Sequence, residues 1–199
     1  MLVASSRDEY AAVIATDIKD NVASPIEKKP AMNYSPSPVV TVKNQWLLSQ
    51  VDVEFPTSES LEGRDVYQAL SQQNQVTLFQ PQACDEQLLQ EIYLVDFHRL
   101  TVWFALLQAT RGTSKHEQDR LVEFFTQIIY SPPCQLFIGF HLGEPVAAGM
   151  VTQHEQSVLL SDLVVKTGSP FGAREQFAHA LYTKWQSMTE SDALPFIEL

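Results

Sequence analysis

Three apolar segments separated by two short polar turns constrain this chain more than any other feature. Gln135–Phe140, Pro145–Thr152 and Ser157–Val165 are rich in Val, Ile, Leu, Phe and Ala. Leu142-Gly-Glu-Pro and His154-Glu-Gln-Ser between them have the residues and the length of hairpin connections. Connections this short join antiparallel neighbours, so the three segments are expected to form one meander. The third, SVLLSDLVV, is apolar in both phases, as in a strand covered by helices on both faces. A helix is expected next, with Phe177, Leu181, Trp185 and Met188 on one stripe, followed by a short strand over Leu194–Leu199. The fold class is therefore α/β, in its α+β form: a mixed, mostly antiparallel sheet flanked by helices.

Upstream, the pattern changes. Asp8–Ala23 has the spacing of a short helix, and the proline-rich stretch SPIEKKPAMNYSPSPVV breaks regular structure. Residues 1–40 read as an arm or linker, or as a disordered segment. Residues 41–75 read as an N-terminal extension packing on the core. In Val42–Phe55 the alternation of Val51, Val53 and Phe55 suggests a half-buried strand ended by Pro56, and Ser58–Gln73 suggests a short helix. Val76–Phe79 is a strand candidate closed by Pro81. From Asp85, apolar residues from Leu88 to Leu107 recur at three- and four-residue steps, predicting a long helix. Arg111-Gly-Thr-Ser ends that pattern. Ser114 and Glu117 form a capping-box signature for a second helix, which stops at Ser131-Pro-Pro.

Composition excludes some classes of partner. With 13 Lys and Arg against 24 Asp and Glu, the formal charge is −11 and no basic cluster appears, so a nucleic-acid partner is not expected. Cys84 and Cys134 lie far apart with no neighbouring His or Cys at metal-ligand spacing, which reads as two free thiols and no metal site. No apolar run reaches the ~18 residues that span a bilayer, and the N-terminus lacks a signal-peptide pattern, so no membrane partner and a cytoplasmic location are expected.

The order strand, two helices, three antiparallel strands, loop, helix and strand, counted from Val76, resembles the GNAT family of acyl-CoA-dependent N-acetyltransferases over about residues 76–199. Three local features carry the resemblance. Asp85-Glu-Gln-Leu-Leu is similar to the family's first helix. Gly143-Glu-Pro-Val-Ala-Ala-Gly is similar to its second hairpin, and Leu163-Val-Val165 to the end of its fourth strand. The resemblance implies acetyl transfer from acetyl-CoA to an amine. Leu163 and Val165 would offer backbone groups to the pantetheine arm, and Gly172, Ala173 and Arg174 would meet the pyrophosphate at a helix N-terminus.

The family motif R/Q-x-x-G-x-G/A falls on Ser169, Gly172 and Arg174, so one of its three positions is kept, and Pro170 removes a backbone donor. Ser169–Arg174 is thus either an altered site for a CoA-like pyrophosphate or an ordinary strand-to-helix loop. The family's further C-terminal strands have no counterpart by Leu199. Residues 41–75 or a partner chain could take their place, and a homodimer would complete the sheet in that way. No catalytic residue can be assigned. Asp162 is the one carboxylate on the matching strand, and it reads more readily as a buried, hydrogen-bonded structural acid than as a base. Asp96, seven residues after Leu89, would be partly buried on the helix stripe, as a capping or ion-paired carboxylate or one with a raised pKa. His141 and His154, at strand ends, face either solvent or a shared acceptor cleft. The alternative function is a non-catalytic interaction or regulatory protein on the same scaffold, without cofactor binding.

Overall fold

A computed structural model describes residues 37–199. It contains a six-stranded sheet in the order β1-β6-β5-β4-β3-β2, with helices on both faces. Ser37–Leu48 forms α1, Ser58–Ser71 α2, Val76–Leu78 β1, Glu86–Gln90 α3, Ile92–Leu94 β2, His98–Ala109 α4 and Lys115–Phe125 α5. The meander follows as β3 (Cys134–His141), β4 (Glu144–His154) and β5 (Ser157–Val165), then α6 (Arg174–Met188) and β6 (Leu194–Glu198). Every strand pair is antiparallel except β5 with β6, which α6 joins as a crossover. The expected helix at Asp8–Ala23 lies outside the described residues.

The meander forms where the apolar runs place it, with turns that need left-handed backbone at Leu142, Gly143 and Glu155. One core lies between the sheet and α1, α2, α4 and α5, and is built on Phe104, Phe124, Phe125, Leu136 and Met150. The other lies under α6 and holds Phe137, Leu160, Phe171, Phe177 and Trp185. A β5 strand with both faces buried accounts for apolar residues in both phases of its sequence.

Three local expectations are corrected. Val42–Phe55 is not a strand. Its true period is four: Val39, Lys43, Leu47 and Val51 are all buried along one helical stripe, whereas Val53 and Phe55 are exposed. Pro38 in the first turn of α1 costs no hydrogen bond there, so the helix starts before residue 41.

The long helix expected from Asp85 is interrupted. Asp85 caps only the short α3, its side chain accepting from the Gln87 N–H, and Ile92–Leu94 then pairs with Phe137–Gly139. Burial of Ile92 against the sheet outweighs the helical spacing around it.

Val76–Leu78 is a strand, but at the opposite edge of the sheet, antiparallel to β6. The strand that flanks the meander is β2. The order strand, two helices, three strands, helix, strand therefore starts at Ile92, and Asp85–Leu89 precedes it. The edge beside β6 is occupied by this chain's own β1, tied down by reciprocal backbone bonds between Gln75 and Leu199 at 2.8 and 3.1 Å.

Helices α2 and α5 approach closely at Gly63, where an added Cβ would stand 2.0 Å from the Arg120 carbonyl oxygen. Gly63→Ala is expected to force the two helices apart and lower stability by about 1–3 kcal/mol, the range for overpacking. Urea denaturation followed by circular dichroism measures it, and an unchanged midpoint would show that the contact yields freely.

Candidate functional site

Beyond Leu160, which pairs with Ile197, β5 loses its β6 neighbour and, among the described residues, pairs only with β4. At that point β5 also carries a bulge. Asp162 and Leu163 together oppose Gly149, with Asp162 in the left-handed region at φ 53°. An aspartate tolerates this conformation better than a branched residue does. The Lys166 N–H bonds the Val146 carbonyl, so alternation turns the backbone groups of Val164 toward β4 and those of Val165 toward the open edge.

A cleft of about 710 Å³ lies along this edge and against the N-terminus of α6. Leu163, Val165, Gly172, Ala173 and Arg174 all line it, so the structure brings together the five residues singled out in the sequence. Arg111, from the α4–α5 connection, lines it as well and gives it a second cation beside Arg174. Sequence reasoning had read Arg111 only as a helix stop.

The loop into α6 is rigidly built. Phe171 inserts into the core beneath the sheet, its ring meeting Phe177 edge-on at 5.2 Å and filling the space that a side chain at Gly139 would need. Gly172 is in the left-handed region at φ 71°, which favours glycine. Several loop amides are already satisfied internally. Phe171 donates to Ser169 Oγ, Gly172 to the Ser169 carbonyl, and Ala173 to Gln176 Oε1. Pro170 has no donor. What remains for an anion is the first turn of α6 itself, starting at Arg174.

Directly inside this edge lies a buried charge cluster. Lys43 of α1 is fully buried; its ammonium reaches Glu198 of β6 at 2.9 and 3.1 Å, the Tyr67 hydroxyl of α2 at 3.1 Å, and Asp162 of β5 at 3.9 Å. Asp162 also accepts from Arg111 Nη1 and Ser161 Oγ, each at 2.9 Å, while its carbonyl accepts from Gln108 Nε2. Two cations thus face two carboxylates. Burial alone would push the Asp162 carboxyl up, but Lys43 and Arg111 together with these hydrogen bonds hold it below its ordinary value. Burial would likewise lower the Lys43 ammonium, and Asp162, Tyr67 and Glu198 raise it instead. Burial, with a contribution from Asp162, raises the Tyr67 phenol.

A carboxylate held in this way is a poor proton acceptor at neutral pH. Asp162 is buried, ion-paired and hydrogen-bonded, the arrangement expected of a structural acid. Lys43 and Glu198 were missed in the sequence. The available signal was a single lysine on the otherwise apolar stripe Val39-Lys43-Leu47-Val51.

The other candidates are dispersed. Asp96 is exposed in the connection after β2, which corrects its expected place on a buried helix stripe. His141 pairs with Glu144 at one end of β4 and His154 sits at the other, so the two histidines share no cleft. Cys134 is buried beside Thr152, and desolvation pushes its thiol up to about 12. Among the described residues no group of three or more His, Cys, Asp and Glu could hold a metal ion, and no helix is long and apolar enough to cross a membrane. The chain matches no model of a known protein family, and no curated protein is similar to it.

Removing the ammonium with Lys43→Met leaves Asp162 and Glu198 without their shared cation. It is expected to cost about 3–5 kcal/mol in urea unfolding at neutral pH, the range for breaking a buried ion pair. Adding Glu198→Gln should recover part of that loss, and a cost below 1 kcal/mol for the single variant would refute the role given to Lys43. Because its folded pKa is depressed, Asp162 contributes stability that is full above its ordinary value of 3.8 and is lost as pH falls through the folded value. Stability measured in this acid range should fall more steeply for the native chain than for Asp162→Asn.

Proposed function

We propose that this chain is a GNAT-like N-acyltransferase that binds acetyl-CoA along the open edge of β5 and transfers the acetyl group to an amine. The observation that carries the reading is the single cleft in which Leu163, Val165, Gly172, Ala173 and Arg174 meet. The unpaired edge at Val165 suits the amide-rich pantetheine arm, which can hydrogen-bond there as an added strand would. The first turn of α6, with Arg174 at its start and Arg111 across the cleft, suits the pyrophosphate. Attack by an already deprotonated amine on the thioester carbon would expel the CoA thiolate, and the amine's remaining surplus proton would pass to solvent. Backbone N–H groups of the β5 edge would polarise the carbonyl, and no side-chain base is needed.

A second reading has specific support: a non-catalytic interaction or regulatory protein on the same scaffold. Lys43 ties β5 to β6 through Asp162 and Glu198, near the point where the two strands part. Three amides of the loop are also spent on Ser169 and Gln176.

Calorimetric titration of the full chain with acetyl-CoA and with free CoA separates these readings. The transferase reading expects micromolar affinity, abolished by Gly172→Trp in the exposed loop and weakened about threefold to tenfold by Arg174→Glu, the scale of one charge reversal near a phosphate. No binding at millimolar ligand would overturn it and leave the non-catalytic reading. Binding without acetyl transfer to any of a panel of amines would retain the cofactor and refute the transfer.

A further inference from the structure

A second concavity lies at the other end of the sheet, where β3 begins and β4 ends. It encloses about 740 Å³. One wall is aromatic and aliphatic: Trp46 from the end of α1, Tyr130 and Pro133 from the entry to β3, and Leu136. The polar ends of both aromatic residues are already engaged, since the Trp46 indole N–H donates to Ser131 Oγ at 3.0 Å and the Tyr130 hydroxyl bonds Thr101. Both residues line the cavity with those polar ends already engaged. Among the described residues, the charged groups of the lining are two exposed carboxylates, Asp96 and Glu155, with no Lys, Arg or His. Among the described residues, none forms a hydrogen bond or ion pair with either carboxylate side chain. Glu155 lies in the turn between β4 and β5, with φ 50°.

The geometry points to a second ligand site, for a small organic cation with an apolar body, such as an aromatic ammonium. Apolar walls would bury the body, and ring faces attract a cation through their quadrupole. Two unpaired carboxylates supply the counter-charge and disfavour an anion of the same shape. A volume of this size accommodates a ligand of ordinary metabolite or drug dimensions. The site is separate from the cleft at α6, shares no lining residue with it, and does not depend on acyl-CoA binding.

The test is a calorimetric titration of the full chain at low ionic strength with benzyltrimethylammonium, and with phenylacetate as an anion of similar apolar body. The cation should bind, and the anion should bind at least about tenfold more weakly. Asp96→Asn and Glu155→Gln replace exposed side chains and leave the core untouched. Each is expected to weaken the cation about twofold to fivefold, the scale of a partly exposed charge pair, and the double variant more. Added salt should weaken the native chain more than the double variant. Equal affinity for cation and anion, an unchanged double variant, or no heat up to millimolar cation would each overturn the proposal. None of these outcomes bears on acetyl-CoA binding, which is read at a separate cleft with separate variants.

Discussion

One buried ammonium organises the sheet and the helices over it. Lys43 joins α1 to Tyr67 of α2, to Glu198 of β6 and to Asp162 of β5, all of them buried. A cation without solvent needs anionic partners within reach, so these elements must dock together or leave a charge stranded. That requirement is directional in a way that apolar packing is not. Val39 and Leu47, one turn to either side, bury area and tolerate sliding, whereas Lys43 fixes where along its axis α1 meets the sheet. Arg111 then extends the cluster to the surface, since it holds Asp162 and also lines the cleft.

What could be read in advance follows from the range of the forces involved. The meander from Cys134 to Val165 was legible because hairpin turns and strand periodicity are local, and α6 and its loop because they adjoin it. The gathering of Leu163, Val165, Gly172, Ala173 and Arg174 at one cleft was legible for the same reason, as all five lie within a dozen positions of one another. The errors lie where a distant partner decides. Ile92–Leu94 is a strand because β3 pairs with it, despite helical spacing on both sides. Val51, Val53 and Phe55 alternate by accident in a segment whose stripe is Val39-Lys43-Leu47-Val51. A lysine in that stripe looks like a defect until Glu198 arrives from the far end of the sequence.

The same few residues of β5 serve both the interior and the cleft. The bulge at Asp162 turns its side chain inward to the charge cluster and leaves the following residues without a strand partner on one side. Fixing Asp162 therefore also fixes the lip of the cleft at Leu163 and Val165. On the opposite lip Phe171 performs the corresponding task, since its buried ring anchors the loop that carries Gly172 and Arg174. Cleft geometry is in this way inherited from the core on both sides.

Both margins of the sheet are strands of only three residues, β1 and β2. A strand's outer rim is a template for other chains, and its reach is set by the number of consecutive unpaired amides it displays. Here the long strands β3, β4 and β5 are all interior to the strand order, and only the short ones stand at its margins. A chain arriving at either margin meets a strand of three residues, so brevity at the rims limits how firmly it could pair there.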